Sequence, residues 1–520
     1  MSVTLSSRRH FMGQLGSGST AALLASLPAL SFAAEKSPPT KTWLTSSDPS
    51  DEIIFMSATK LAQLIREKKV SSRDAVAAYI KRIEAVNPKL NAVVQTCFDR
   101  ALREAAAADE ALAAGRITGP LHGVPFTIKD SLDTAEVIST GGTLGREFFV
   151  PPTDATVVAR VRAAGGILLG KTNTPEFTLA GGGITGVSTT ANIIYGITKN
   201  PWDLHRSTAG SSGGAGSIVS AGGSAFDIGS DYGGSIRMPA NNNGTCGLKP
   251  TFGRVPRTGH IVDYGGIFDS WQEIGPLARR VEDLNLITSI IAGPDYQDAA
   301  MIPMPWADPA KVEVKGLRVG FYAENGVAET TKETIEVVKK AAAYFSEFGC
   351  PVKEDFPRAI VMELEEIRSK ISPMSGPGIL RLAEKWGTKA VSPTILARAK
   401  SAEPMATAEL TELLEKQDAS RSRLLGWMKN YDIVLNPVMP KPAAPINQGE
   451  LPGARKPGSS YVGIHNTSGY PVAVVPCGFS PENLPIGVQI IGQPWAEDKV
   501  LAAAAFLESK TGGWKKPPIG

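Results

Sequence analysis

Apolar residues recur at helical spacing in two early segments. In "SSRDAVAAYIKRIEAVNP", Val76, Tyr79, Ile80 and Ile83 form one stripe, with Ser71 placed as a cap and Asp74 in the first turn. Asn87-Pro88 predicts the end of that helix. "CFDRALREAAAADEALAAG" reads as an alanine-rich helix stopping near Gly115. The texture changes after Gly119. Val124 to Ile128 reads as a strand core, with Lys129-Asp130 at its end. "ATVVARVRAAG" predicts a helix and "GGILLGKT" the strand after it. Towards the C-terminus, "YPVAVVPCGF" and "PIGVQIIG" read as paired core strands, followed by a helix at "AEDKVLAAAAFLESK". This alternation, with no internal repeat, predicts one large α/β domain over residues 53–520. Residues 180–245 interrupt it with a long run rich in Gly, Ser, Thr and Asn. So long a stretch is unusual as plain loop, and it predicts a functional region woven between strands.

Composition adds little to that picture. The chain of 520 residues is 42% hydrophobic and 20% charged, with a formal net charge of +3. No dense Lys/Arg run suggests a nucleic-acid surface. The start of the chain says more. Arg8 and Arg9 precede an apolar stretch that ends in small residues near Ala33 and Ala34. That layout predicts an export signal over residues 1–34, of the twin-arginine type, followed by a polar linker over 35–52. A membrane anchor is the competing reading, but the stretch is short and rich in glycine and serine. No later segment has the uninterrupted apolar length of a span. Cys97, Cys246, Cys350 and Cys477 are far apart, show no metal-ligand spacing, and read mostly as buried small apolar residues.

Two motifs invite misreading. Gly165 to Thr172 fits the phosphate-binding loop pattern, yet a helix precedes it and Ile167-Leu168-Leu169 look buried. Gly210 to Gly214 fits G-x-S-x-G around Ser212, with His260 and His465 downstream as partners for a histidine-based triad. The preceding "DLHRSTA" is a poor strand for such an elbow. A third stretch, "GSDYGGSIRMPA" from Gly229 to Ala240, carries a stronger chemical rationale. Successive glycines let a backbone turn tightly and aim N–H groups at one point. Ser235 at the end of that nest is a candidate nucleophile, attacking a carbonyl whose oxygen sits among those donors. A base is then required. Lys129, at the end of an apolar strand, serves if burial lowers its pKa; the bland alternative is a lysine reaching solvent or pairing with Asp130.

Taken together these residues resemble the amidase signature family of serine hydrolases. The resemblance spans roughly residues 55 to 510 and centres on "AGSSGGAGSIVSAGGSAFDIGSDYGGSIRMPANNNGTCGLKPTFGRVP". "GPLHGVPFTIKD", "GITKNPWDLHRSTAGSSGG", "IGPLARRVEDLNLI" and "LPIGVQIIG" are similar to further family blocks. The resemblance implies a large twisted mixed β-sheet covered by helices on both faces. It implies a Ser–cis-Ser–Lys triad falling on Ser235, Ser211 and Lys129, with Ser212 hydrogen-bonded to Lys129. It also implies an oxyanion hole from the N–H groups of Tyr232, Gly233, Gly234 and Ser235. No cofactor and no metal are implied. The sequence departs from the family at Ala209, where a glycine is usual. Asn241, Asn242 and Asn243 replace an apolar stretch and are either buried with partners or more exposed. Tyr232 stands where a smaller residue is common, as a wall of the acyl pocket, and Arg237 is read as structural rather than as a carboxylate binder.

The expected activity is hydrolysis of a carboxamide C–N bond through an acyl-enzyme. The rivals are an esterase or carbamate hydrolase with the same triad, the amide-hydrolysing subunit of a tRNA-dependent amidotransferase, and a non-catalytic binding protein on the same fold. The expected partner is a small-molecule amide, with a homodimer compatible and neither nucleic acid nor a membrane span expected. Specificity is expected from segments 140–150, 180–195, 260–272, 370–420 and 440–465, whose apolar bias favours a hydrophobic or aryl amide.

Overall fold

The fully apolar runs become strands buried on both faces, as expected where helices cover a sheet. A computed structural model describes residues 53–179, 189–262, 265–446 and 460–519. The strands in chain order are β1 (Val93–Thr96), β2 (Pro125–Lys129), β3 (Ile167–Thr172), β4 (Ala191–Asn192), β5 (Gly196–Ile197), β6 (Phe226–Asp231) and β7 (Cys246–Lys249). They continue as β8 (Glu273–Ala278), β9 (Val319–Phe321), β10 (Val352–Glu354), β11 (Ile433–Pro437), β12 (Val472–Phe479) and β13 (Pro485–Gly492). Eleven of them form one mixed sheet in the order β1-β3-β2-β6-β8-β7-β12-β13-β11-β9-β10, and β4 pairs with β5 alone. Helices flank this sheet, as expected for the α/β class. The helix Glu497–Thr511 packs on β12, and the helix Gly213–Ser220 is buried along its whole length beside β6.

The centre of the sheet positions the site. β2 runs parallel to β6, with Thr127 opposite Asp227 and Ile128 opposite Ile228. The carboxyl ends of two neighbouring strands therefore emerge together, the usual place for ligand chemistry in an open α/β sheet. β12 and β13 pair antiparallel from Val472↔Ile491, as their apolar runs predict.

Three local expectations are refined. Ser71 caps the helix Ser72–Leu90, its hydroxyl accepting from Asp74 N at 2.9 Å. That helix does not stop at Asn87-Pro88 but runs to Leu90 and ends on Asn91, at φ 50°. A proline in the last turn forfeits only one backbone bond. The Asn87 amide then closes the turn, accepting from Ala92 N and Val93 N and donating to Val93 O. The stretch 189–245 is structured: it holds β4, β5, two helices and β6. The export signal, the linker, and parts of three specificity segments (180–188, 263–264 and 447–459) lie outside the described residues.

The phosphate-loop pattern resolves as β3, and no α-helix opens at Thr172, where a phosphate loop would need one; only a 3-10 turn at Glu176–Thr178 follows. Lys171 is fully buried and donates to Leu132 O, Thr134 Oγ1 (2.7 Å) and Ser139 Oγ (3.1 Å). It fastens the segment after β2 to β3 and faces no anion site. Lys171→Met is expected to destabilise the protein by about 2–4 kcal/mol, because three buried acceptors lose their donor. Urea unfolding measures this, and a midpoint within error of the parent would contradict it. The four cysteines are free; Cys246 and Cys350 are buried, Cys97 and Cys477 partly so.

Candidate active site

Lys129 ends β2 and is fully buried. Its Nζ lies 2.7 Å from Ser211 Oγ and 2.9 Å from Ser230 Oγ. Neither solvent nor Asp130 receives it, for the Asp130 carboxylate accepts from Thr140 N and Thr140 Oγ1. Burial pushes the Lys129 ammonium down to about 7, against the opposing pull of Asp231 and Asp227. A substantial neutral fraction at neutral pH is what a general base needs.

The two serines of "GSSGG" separate in direction. Ser211, buried, follows a cis Gly210–Ser211 peptide bond and points at Lys129. Ser212 does not reach Lys129. Its hydroxyl turns to the Ser230 carbonyl at 3.4 Å, and its N–H donates to the Ser235 carbonyl at 3.1 Å. The parallel register explains the correction. Lys129 runs beside Gly229-Ser230 on β6, so Ser230, and not Ser212, supplies the second hydroxyl. Ser212 occupies the space over Gly229, where an added Cβ would meet Ser212 Oγ at 2.5 Å. Ala209 adopts φ 56°, the left-handed conformation for which a glycine is usual. Its carbonyl accepts from Thr190 Oγ1 and Thr208 Oγ1.

The loop that carries Ser235, the candidate nucleophile, begins where β6 ends, at Asp231. That buried carboxylate accepts from Gly234 N (2.7 Å), Ile236 N (3.0 Å), Asn466 Nδ2 (2.8 Å) and the Arg237 guanidinium (3.0 and 3.1 Å). Burial works against its charge, but Arg237 and these hydrogen bonds hold it well below the usual carboxylate range. Arg237 is itself fully buried and also donates to Val462 O, Gln489 Oε1 and Asn466 Oδ1. It is a structural residue, as read. Ser235 keeps 8% exposure, against 1% for Ser211 and 0% for Lys129. Among the described residues no hydrogen bond joins the Ser211 and Ser235 hydroxyls; the two loops meet instead through the Ser212 N–H. The four N–H groups expected to form an oxyanion hole are not equally available. Gly234 N–H is committed to Asp231, while those of Tyr232, Gly233 and Ser235 have no acceptor among the described residues.

The histidine-based triad fails on geometry. His260 Nε2 lies 3.0 Å from Ser230 Oγ, and His465 Nε2 lies 3.5 Å from Asn436 Nδ2. Neither bonds Ser212 or Ser235. Burial pushes His260 down to about 3 and His465 well below its ordinary range, so both are neutral. The asparagine run is buried and partnered: Asn241 Oδ1 accepts from Gly487 N, Asn242 donates to Ser207 O, and Asn243 donates to Thr208 O and Pro239 O. The run therefore ties the helix Arg237–Asn243 to both the 207–208 segment and β13.

Beyond the loop, the Tyr232 ring packs against Phe268 and Trp271, at 6.4 and 5.9 Å between centroids. Arg368 covers this cluster, 5.3 Å from the Tyr232 ring and 4.6 Å from the Trp271 ring, and donates to Tyr232 O at 2.8 Å. Ser230, Asp231, Asn466 and Arg368 were not read as site residues, and His260 was weighed only as the base of a histidine-based triad. Ser230 and Asp231 stood in the glycine-rich stretch itself, and an acid four positions before a candidate nucleophile was a usable signal. Nothing local marked Asn466 or Arg368. Among the described residues no group of three His, Cys, Asp or Glu side chains is placed to hold a metal ion. No helix among them is long and apolar enough to cross a membrane.

A family model described as Amidase matches residues 74–501. The chain is 35% identical over 500 residues to a glutamyl-tRNA(Gln) amidotransferase subunit of Moorella thermoacetica, covering 90% of this chain and 99% of that protein. Among solved structures it is similar to 6-aminohexanoate cyclic dimer hydrolase complexed with substrate, with a TM-score of 0.79 at 29% identity, covering 90% of this chain and 99% of that one. It is also similar to a bacterial aryl acylamidase of the amidase signature family, with a TM-score of 0.77 at 26% identity, covering 87% of this chain and 96% of that one. With a family match over most of its length and these relatives on the same fold, the chain belongs to the amidase signature family of enzymes.

Proposed function

We propose that this chain is a serine hydrolase that cleaves carboxamide C–N bonds through an acyl-enzyme. The observation that carries the reading is a fully buried lysine whose hydrogen-bond partners are two hydroxyls, one of them Ser211 at 2.7 Å. Neutral Lys129 accepts the Ser211 proton while Ser211 accepts the Ser235 proton. Ser235 Oγ forms a bond to the substrate carbonyl carbon, and the negative oxygen is met by the N–H groups of Tyr232, Gly233 and Ser235. The C–N bond then breaks, and the proton returns from Lys129 through Ser211 to the leaving nitrogen. Water attacks the acyl-enzyme by the same relay and releases the carboxylic acid. The aromatic cluster of Tyr232, Phe268 and Trp271 beside the loop supports a hydrophobic or aryl substrate. The test is a panel of amides, anilides, peptide amides and carbamates, together with fluorophosphonate labelling followed by peptide mass mapping. Label on Ser235 and turnover of an amide support the reading; label on another residue, or none, sinks it. An anilide compared with its ester analogue by kcat/KM separates the amidase from the esterase or carbamate hydrolase.

The pH dependence follows from Lys129. Its active form is neutral, so activity is present above its pKa and lost below it. With that pKa pushed down to about 7, kcat/KM is expected to fall about tenfold for each further pH unit of acidification. A profile flat from about pH 5 to about pH 9 would exclude Lys129 as the base.

A second reading is favoured by the names of the relatives: a component of an amidotransferase that hydrolyses an amide to deliver ammonia. Its test is whether tagged, full-length protein isolated from its native cells brings down partner proteins, and whether glutamine or asparagine is the preferred amide. Export through the Arg8-Arg9 segment belongs to the first reading, supported by the cationic start and the small residues at Ala33 and Ala34. Fractionation that finds only full-length protein inside the cell would sink export.

A further inference from the structure

Lys129 carries a second hydrogen-bonded arm that the proposed mechanism leaves idle. Ser230 Oγ lies 2.9 Å from Nζ, and His260 Nε2 lies 3.0 Å beyond Ser230 Oγ. All three side chains are buried. The histidine is brought there by the segment after β2. Ile261 N donates to Ser131 O and Asp133 N to Gly259 O, so the backbone around His260 is pinned two to four residues past Lys129. Burial holds the imidazole neutral, with the Lys129, Arg257 and Arg146 charges acting in the same direction and the Val262 backbone opposing. Asp231 and Asp227 are the charges that face Lys129.

A neutral amine has two N–H donors and one lone pair. To take a proton from Ser211, Lys129 must aim that lone pair at Ser211. Ser230 controls whether it does, because a hydroxyl both donates and accepts. With its O–H turned to Nζ, Ser230 would occupy the lone pair and silence the base. With its O–H given to His260 Nε2, Ser230 offers Lys129 only lone pairs. One lysine N–H then points at Ser230, and the lysine lone pair is left for Ser211.

We propose that His260 is a positioning residue: by accepting the Ser230 O–H at Nε2 it keeps Ser230 an acceptor and leaves the Lys129 lone pair facing Ser211. This rests on the lysine-base reading above. It requires the imidazole proton on Nδ1.

The test is a double-mutant cycle of His260→Leu and Ser230→Ala on the full chain, read as kcat/KM for an amide on the alkaline plateau, with KM and thermal midpoint recorded for each variant. His260→Leu is expected to lower kcat about 10–100-fold in the Ser230 protein, with KM nearly unchanged. In the Ser230→Ala background the same change is expected to alter kcat less than about threefold, because no hydroxyl remains to turn on the lysine. Equal losses in both backgrounds would mean that His260 only packs, and would overturn the proposal. A measurement on the unaltered protein stands beside the cycle in case a variant fails to fold. Nitrogen-15 NMR of histidine-labelled protein is expected to show the His260 Nε2 bare and Nδ1 protonated, and a proton on Nε2 overturns the proposal. Failure of the underlying reading looks different: fluorophosphonate would not label Ser235 in the parent, or Lys129→Met would keep parental turnover.

Discussion

Replacing Ser235 by alanine is expected to lower kcat by about 10⁴-fold or more while leaving the fold intact. The size follows from the role. Ser235 Oγ is the atom that bonds to the substrate carbon in the proposed reaction, so no other group in the relay substitutes for it. Water activated by Lys129 through Ser211 would lack the fixed position that makes intramolecular attack fast. The neutrality for stability follows from the structure. The loop is held by its backbone: Ser235 O accepts from Ser212 N, and Gly234 N and Ile236 N donate to Asp231. The Ser235 hydroxyl makes no hydrogen bond among the described residues and retains some exposure, so its loss removes no anchor. The unfolding free energy is expected to move by less than about 0.5 kcal/mol. Turnover of the best amide from the panel, measured beside a thermal melt, checks both halves. Parental turnover by a folded Ser235→Ala protein would remove the serine from the mechanism, and an unfolded variant would show that the loop depends on the hydroxyl after all.

What the sequence disclosed depended on whether the deciding interactions were local. β12 and β13 were legible because each is a nearly continuous apolar run, broken in β13 by Gln489, as strands buried on both faces over most of their length require. Lys129 was legible as a candidate because it ends such a run, but its turn inward, away from solvent and Asp130, is decided by Ser211 and Ser230. The glycine nest before Ser235 was legible from its backbone demands, Gly234 at φ 105° among them. Ser212 was misassigned because the direction of each of two adjacent serines is set by tertiary contacts: the space over Gly229 takes Ser212, while Ser211 turns to Lys129. Ser230 was missed because its approach to Lys129 exists only through the β2–β6 register, between segments 101 positions apart. Asn466 and Arg368 lie more than 130 positions from the atoms they hold, Asp231 and Tyr232 O, and no pattern in one sequence joins such pairs. The asparagine run left two outcomes open, and only the partners Ser207, Thr208 and Gly487 decide for burial.

Asp231→Ala is expected to destabilise the protein by about 3–5 kcal/mol and to abolish turnover with it. The cause is not the loss of a favourable pair in isolation. Exchanging a buried ion pair for well-packed apolar groups is often neutral, whereas removing one partner strands the other charge. Here the stranded group is Arg237, whose guanidinium is wholly buried and whose remaining partners, Val462 O, Gln489 Oε1 and Asn466 Oδ1, bring no negative charge. Gly234 N and Ile236 N lose their acceptor at the same time, and these bonds shape the turn that presents Ser235. Stability and geometry therefore fail together, which separates this variant from Ser235→Ala. The pH dependence has a definite sign. The folded carboxylate is held below its ordinary value of 3.8, so its contribution is complete well above that pH, declines progressively as the pH falls below it, and is gone once the folded group itself is protonated. Adding Arg237→Met to Asp231→Ala removes the stranded charge and is expected to restore part of the lost stability without restoring turnover, since the loop still lacks its anchor. Urea midpoints for the single and double variants measure the coupling. A single-variant loss below about 1 kcal/mol would show that Arg237 finds another anion or solvent, and that Asp231 does not hold the loop that carries Ser235.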